Sequence, residues 1–517
     1  VDHWAADPVK PALIWCDDAG RERRLTFAEV ARASCRFANL LAAHGVGRGD
    51  RVVIMLPRVP EWQIAMVGTL RAGAIPIPCI DMLTAKDVAY RVDHAGAVAA
   101  VTTAANAAKF GDAARFRLRA AVGAAGGWVE LGAALAVQPD TFDAVALAAD
   151  EPAIMYYTSG STGNPKGVTH AARAIWAWRV SAWYWLDLRP DDTMWCTADT
   201  GWSKAGTSIL FGPWSCGAQV LFYDGRFDPR LRLELLARHR VTVFCAAATE
   251  LRRLIAEDFS GFDLAALRLA VSAGETVNPE VVRRWVEKTG VALLDGYGQT
   301  ETLMTVLNYP CLAVKPGSMG KPLPGTEVAL LAPDGTLAPP GAAGELAVRL
   351  PNPQVMLGYW QDPALTAAAK TAVGGVEYWR SGDVVARDAD GYLFYEGRAD
   401  DVISSAGYRI GPMEVENALI EHPAVQESAA VASPDAERGE IVKAFVVLRP
   451  GHAASDALVR ELQDHVKRVT APYKYPRRIE FVAELPKTAS GKLRRRELRD
   501  REFAAAGPAA VRDNPPT

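Results

Sequence analysis

Cysteine is scarce and scattered in this chain. Cys16, Cys35, Cys79, Cys196, Cys216, Cys245 and Cys311 are widely spaced and odd in number, and no C-x-x-C pair occurs. Such spacing argues against a disulfide framework or a zinc site and fits reduced thiols in a cytoplasmic protein. Long apolar runs are missing too, since no stretch reaches the roughly 18 consecutive apolar residues of a membrane span. The start, "VDHWAADPVK", lacks the apolar segment of a signal peptide, and Val1 stands where an initiator Met would be, which leaves room for a missing stretch. An excess of one charge sign is also absent. With 57 Lys+Arg against 60 Asp+Glu the net charge is -3, so nothing global draws the chain to nucleic acid or an anionic membrane, and any anion site must be local. There is no internal repeat and no heptad run.

What the chain does have is apolar mass. Half of its 517 residues are hydrophobic and 23% are charged, enough for buried sheets in about two to four domains. The first 150 residues alternate helix and strand. "TFAE" at Thr26 to Glu29 has the spacing of a capping box, its helical pattern runs to about Gly45, and "RVVIML" and "AIPIP" follow as extended segments. A second α/β stretch covers roughly 150 to 310, with "AIMYYT", "AQVLFY", "VTVFCA" and "LRLAVSA" as buried strands. From about 311, Gly, Pro and Asp punctuate short strands, which predicts a β-rich subdomain. Beyond Arg398, "ESAAVA" and "KAFVVL" with the helical pattern "DALVRELQDHVKRV" predict a compact α+β unit. The expected architecture is α/β: a large N-terminal domain of two α/β lobes plus a β-rich subdomain, residues 1–399, and a small mobile α+β domain, residues 400–517.

"TSGSTGNPKG" at 158–167 concentrates glycine, hydroxyls and a lysine between a strand and a helical pattern beginning near His170. Glycines let backbone N–H groups turn inward, hydroxyls add donors and lysine adds a point charge, all suited to a polyanion. The spacing is not G-x-x-x-x-G-K-[ST], which disfavours a P-loop NTPase, and a flexible linker remains the bland alternative.

"SAGE" (272–275), "DGYGQTE" (295–301), "YWRSGD" (378–383), "GRADD" (397–401) and "PKTASGK" (486–492) follow the loop in order. Together they make the chain resemble the adenylate-forming superfamily over nearly its whole length. "ADTGWSKAGTSILFGPW", "KPGSMGKPLPG" and "APYKYPRRIEFV" look most like the medium-chain and benzoate-type acyl-CoA synthetases.

That resemblance implies ATP, magnesium and CoA as cofactors, a small carboxylic acid as substrate, no nucleic-acid partner, no membrane span, and a monomer or homodimer. In the loop, Thr158, Ser159, Gly160, Ser161, Thr162, Gly163 and Lys166 would hold the β and γ phosphates. Thr300 would donate to the α-phosphate and Glu301 would ligate magnesium, a hard ion that takes one or two carboxylates with phosphate oxygens. Gly274, Glu275, Asp295 and Tyr297 match positions around the adenine, with plain core packing the alternative for Tyr297, and Thr276, Gly296, Gly298 and Gln299 would belong to the same cofactor-binding set. Asp383 and Arg398 match the ribose site. Lys492, on a Gly-Lys turn, would reach across to bridge carboxylate and α-phosphate as a mobile point charge, whereas Arg494, Arg495 and Arg496 read as a solvated face. Arg438, Lys474 and Arg409 would meet CoA, and Gly407 would leave a narrow pantetheine tunnel clear. Asp400 matches the family's hinge, though it is also suited to cap a turn. Trp202, Gly298 and Thr302 would line the acyl pocket. Acetate-activating relatives carry tryptophan at the position of Gly298, so its missing side chain predicts a pocket that extends further. Trp202 has a simple core role as its alternative.

Two enzyme readings follow from the resemblance: a carboxylate:CoA ligase, favoured by "APYKYPRR", and a stand-alone adenylation enzyme that loads a carrier protein. The chain ends soon after Lys492, where no carrier module is expected. A nucleotide-binding sensor without turnover is the reading outside enzymes.

Overall fold

The structure is a computed structural model that describes residues 1–111, 113–158, 164–405, 408–435, 438–487 and 493–506. Local signals operate as expected at the start. Helix Phe27–Ala43 begins at a capping box in which the Thr26 side chain accepts from Glu29 N at 3.2 Å and Glu29 accepts from Thr26 N at 2.7 Å, satisfying two otherwise orphan donors. Its buried face, from Phe27 through Phe37 to Leu41, packs on helix Pro60–Arg71 and beneath a five-stranded parallel sheet. The order in that sheet is Ile75–Pro78, Arg51–Met55, Ala99–Thr103, Leu118–Val122, Val129–Glu130.

The second sheet is larger than two separate expectations allowed. Its 14 strands run continuously from Val328–Leu331 and Gly344–Arg349 through Val376–Arg387, Leu393–Arg398, Ser318–Pro322, Leu303–Leu307, Leu293–Gln299, Leu269–Ala273, Val243–Cys245, Thr193–Cys196 and Gln219–Asp224 to Pro11–Asp17 and Glu22–Thr26, with Lys370–Val373 branching off Val376–Arg387. The expected α/β architecture, a large N-terminal domain and a small α+β one, is present, and strand pairing crosses two of the boundaries drawn within the large domain. The Gly- and Pro-rich strands after 311 join the α/β lobe edge to edge, since Leu303–Leu307 pairs antiparallel with both Leu293–Gln299 and Ser318–Pro322. The first strand of the chain, Pro11–Asp17, keeps Glu22–Thr26 as an antiparallel neighbour and pairs in parallel with Gln219–Asp224, Leu13 opposite Val220. One core joins the two sheets, with Val52, Phe37, Trp62, Trp178, Trp185 and Phe222 all buried in it.

A small unit follows. Ile403–Ser405, Tyr408–Ile410, Val425–Asp435, Gly439–Leu448 and Arg478–Phe481 form a five-stranded sheet, covered by helices Pro412–Ile420, Asp456–Val469 and Arg495–Ala506. Asp456–Val469 buries Leu458, Leu462 and Val466, each four residues from the next, and Ser455 caps it by accepting from Leu458 N at 3.1 Å. Arg495 is no solvated face. Its guanidinium grips the buried Glu416 carboxylate through Nε at 2.8 Å, and the same oxygen accepts from Ala430 N at 2.8 Å.

Candidate adenylation site

The glycine-rich segment connects two paired antiparallel strands, not a strand to a helix. Pro152–Thr158 and Lys166–Ala171 pair antiparallel with Thr158 opposite Lys166, and helix Ala172–Tyr184 begins only after the second strand. Both strands are buried along most of their length, and a linear reading of glycine followed by helix missed the second of them. Ser159, Gly160, Ser161, Thr162 and Gly163 lie outside the described residues, as do Gly407 and Lys492 and the side chain of Arg409. The half-buried Lys166 stands at the hairpin's second strand.

Strand Leu293–Gln299 carries most of the other candidates to one edge. Asp295 is 8% exposed and accepts from Val277 N at 3.2 Å and Gly296 N at 2.9 Å, so it fastens the loop holding Gly274, Glu275 and Thr276. Burial pushes its carboxyl pKa up to about 7, against the pull of those amides. Glu275 accepts from Thr249 N at 2.8 Å, and Gly274 takes φ +96°, a conformation that suits glycine alone.

Two motifs far apart in sequence meet at Asp383. Its carboxylate, 4% exposed, accepts from Tyr297 Oη at 2.5 Å and Gln299 Nε2 at 2.6 Å, with Tyr395 and Arg398 at a longer 3.4 Å. Burial raises its pKa, opposed by the Arg398 guanidinium and the hydroxyl donors. One oxygen is firmly held and the other only loosely, an arrangement able to accept sugar hydroxyls. Tyr297 is bonded through its hydroxyl, beyond mere packing.

After Gln299 the chain turns, and Thr300 and Glu301 stand half-buried at the tip. His170 Nε2 donates to the Thr300 carbonyl at 2.7 Å, and Ser203 Oγ lies 3.4 Å from Thr300 Oγ1. Glu301 Oε1 accepts from Tyr359 Oη at 3.0 Å, while its other oxygen takes no hydrogen bond from the described residues. No cluster of three or more His, Cys, Asp or Glu capable of holding a metal occurs among the described residues. A lone carboxylate with a free oxygen fits magnesium carried with phosphate and does not fit an all-protein cage.

Three pocket candidates read differently in space. Gly298 does not face open room: a Cβ there would lie 2.0 Å from the Leu303 carbonyl oxygen. The pairing slips by one residue between Tyr297 and Gly298, and Leu303 has φ +55°, so the bulged hairpin presses backbone against backbone at that point. The expectation that glycine leaves space for a longer acid is thus corrected, because close approach explains the residue. Thr302 is 3% exposed with its hydroxyl accepting from Thr305 Oγ1 at 3.0 Å, so it braces the hairpin from inside. Trp202 is half-buried at the start of the helical run 203–216, whose Gly206–Leu210 segment is a π-helical turn, a feature common at functional sites.

Sequence reasoning missed four neighbours: His170, Tyr359, Tyr395 and Lys204. Lys204 Nζ donates to the Ala273 carbonyl at 2.9 Å and makes no ion pair among the described residues. Burial disfavours its charge, but the thiols of Cys245 and Cys196 with Glu275 and Glu250 outweigh that and raise its pKa. "KGVTH" and "GYW" carried the only available signals for His170 and Tyr359, and nothing periodic marks either. In the small unit, Lys474 is bonded to Glu414 and lies 5.7 Å from the Tyr473 ring centroid, and Arg438 N donates to Asp435 at 3.0 Å. Asp400 is exposed, 3.6 Å from Arg398 Nε, and its carbonyl accepts from Arg499.

Comparison with known proteins settles the family. The AMP-binding enzyme model matches residues 1–360, and the AMP-binding enzyme C-terminal domain matches residues 414–492. The chain belongs to the AMP-binding enzymes. This AMP-binding enzyme is 44% identical to the mitochondrial acyl-coenzyme A synthetase ACSM3 of Rattus norvegicus, over 95% of this chain and 87% of the relative. Among solved structures, the anthranilate CoA ligase AuaEII in complex with anthranoyl-AMP superposes with a TM-score of 0.88 at 32% identity, covering 96% of this chain and 95% of that one. A benzoate CoA ligase from Burkholderia xenovorans LB400 gives 0.83 at 30% identity, covering 95% and 96%.

Proposed function

We propose that this AMP-binding enzyme is an ATP-dependent carboxylate:CoA ligase acting on medium-chain fatty or aromatic carboxylic acids. The observation that carries the reading is the junction at Asp383, where Tyr297 and Gln299 bond one carboxylate while the adjoining Thr300 and Glu301 turn toward the glycine-rich hairpin. Acyl-CoA synthetase and CoA ligase relatives, with benzoate and anthranilate among the ligases' printed acids, support the substrate class.

In the first half-reaction a substrate carboxylate oxygen attacks the α-phosphorus of ATP, forming an acyl-adenylate and expelling pyrophosphate. In the second, the CoA thiolate attacks the acyl carbonyl and AMP leaves. Both reactants of the first step are anions, so fixed donors aimed at the phosphates lower the barrier. Thr300 donates to the α-phosphate, and the loop of Thr158 to Lys166 takes the leaving phosphates. Asp383 and Arg398 hold the ribose. Asp295 fixes the Gly274–Thr276 turn against the adenine. Glu301 offers its free oxygen to magnesium, which would supply charge neutralisation on the phosphates. Lys492 supplies a further cation in one domain orientation. Asp400 is the hinge between domains 1–399 and 400–517, and rotation about it brings Gly407, Arg409, Arg438 and Lys474 to CoA. Lys474 must leave Glu414 to do so. Cysteines without disulfide partners support a reducing compartment, the cytoplasm, and no helix among the described residues is long and apolar enough to cross a membrane.

Pyrophosphate release tests the reading. It should require an added acid and magnesium, and acyl-CoA should appear once CoA is supplied. Acid-independent release, or acyl-AMP that never passes to CoA, refutes it.

A further inference from the structure

Strand Lys166–Ala171 has two neighbours. One is its hairpin partner; the other is the short strand Gly358–Tyr359, with Tyr359 opposite Val168. Backbone bonds lock this second pairing to the site: Trp360 N to Gly167 O at 2.7 Å, Leu357 N to Thr169 O at 2.8 Å, and Met356 N to Glu301 O at 2.8 Å. The main chain three residues before Tyr359, at Met356, is therefore tied to Glu301, which the Tyr359 side chain also reaches.

The Tyr359 ring is touched by both charges. Its hydroxyl donates to Glu301 Oε1 at 3.0 Å, and Lys166 Nζ sits 5.2 Å from the ring centroid, within cation–π range. Thr366 Oγ1 accepts from Tyr359 N at 2.9 Å and Trp379 packs 6.2 Å away, which fixes the ring's place. Lys166 and Glu301 form no ion pair with each other. The ring thus has the cation near its face and the carboxylate at its hydroxyl, and a lysine and a glutamate without such an intermediary attract one another.

We propose that Tyr359 is a positioning residue that keeps Lys166 and Glu301 apart and aimed. Its hydroxyl holds one carboxylate oxygen so that the other faces the cleft, and its ring gives the lysine a resting place that is not an anion. The inference rests on the reading that Glu301 holds the metal, and it adds a residue through which that carboxylate is set.

Mn2+ binding to the enzyme–ATP complex, followed by electron paramagnetic resonance, separates the two ideas without using turnover. Glu301→Gln should abolish tight Mn2+ binding. Tyr359→Phe keeps the ring and loses only the hydroxyl; it should weaken Mn2+ roughly 10-fold, the effect of one hydrogen bond to a charged group, and leave metal-free ATP affinity unchanged. That unchanged affinity also certifies the fold. Tyr359→Leu should weaken metal-free ATP binding in addition, because Lys166 loses its platform. If Glu301→Gln abolishes the Mn2+ signal and Tyr359→Phe leaves it at the wild-type level, the proposal falls and the metal reading stands. If Glu301→Gln leaves Mn2+ unaffected, the metal reading falls and the proposal with it. Loss of metal-free ATP affinity in Tyr359→Phe overturns the division between hydroxyl and ring.

Discussion

His170 and Thr300, 130 positions apart, are joined by a 2.7 Å hydrogen bond from the imidazole Nε2 to the main-chain carbonyl. The carbonyl only accepts, so the proton is on Nε2, and burial of the fully enclosed ring lowers its pKa to about 4. Replacing His170 with Phe leaves the Thr300 carbonyl unpaired at a cost of about 1–3 kcal/mol. Acyl-AMP formation should drop about 10-fold or more, in kcat ahead of the KM for acid, if Thr300 loses its aim at the α-phosphate.

The same ring gives a pH signature. Its pKa is depressed in the fold, so between about pH 6.5 and pH 4 the unfolded chain binds the proton that the native site refuses. The stabilisation is complete above 6.5 and is lost as pH falls toward 4. Denaturant midpoints measured across that window should fall less steeply in His170→Gln than in the wild type. Identical slopes would show that the ring titrates freely.

Gly298→Ala is expected to destabilise, because its Cβ would meet the Leu303 carbonyl at 2.0 Å and overpacking of that kind costs about 1–3 kcal/mol or more. A fall in thermal midpoint with an unchanged ranking of acids is the expected result. Trp202→Ala is the better probe of the pocket and should improve kcat/KM for longer acids relative to short ones. A Gly298→Ala variant as stable as wild type, with preference shifted to shorter acids, would reinstate the open-pocket expectation.

Glu416→Ala should cost about 2–4 kcal/mol, since it leaves the half-buried Arg495 guanidinium and the Ala430 N–H without the buried carboxylate. Glu416→Gln, which keeps one acceptor, should lose less. Unfolding followed by a probe within 400–517 measures both.

Lys492→Ala should depress acyl-AMP formation by about 10²- to 10³-fold while sparing thioester formation from supplied acyl-AMP. Asp400→Pro should spare the first step and block the second by stiffening the hinge. Rate constants for each half-reaction, taken separately, decide this, and equal losses in both steps would end the two-orientation account.

Reading along the sequence succeeds where the cause is local and fails where it is not. The capping box at Thr26 and the strand patterns of 219–224 and 269–273 need only neighbours within a few residues, and they are visible in the text. Motif resemblance reached Asp383, Thr300 and Glu301 one at a time. It did not reach the bonds Asp383 makes, because Tyr297 meets Asp383 across a sheet whose strand order is far from chain order. Gly298 shows the opposite error. A missing side chain reads as space in one dimension and, in three, is a place where two strands of backbone touch. His170 and Tyr359 were overlooked for a related reason, since each acts on a residue that only the pairing of Lys166–Ala171 brings within reach.

The strand Pro11–Asp17 lies between Glu22–Thr26 and Gln219–Asp224 in the large sheet. During synthesis it emerges long before its parallel partner. At about 5–20 residues per second the ribosome needs on the order of 10–40 s to deliver that partner. The nascent chain therefore carries an unpaired apolar ladder edge at Ala12 to Cys16, with a single antiparallel neighbour, until residues 219–224 have emerged.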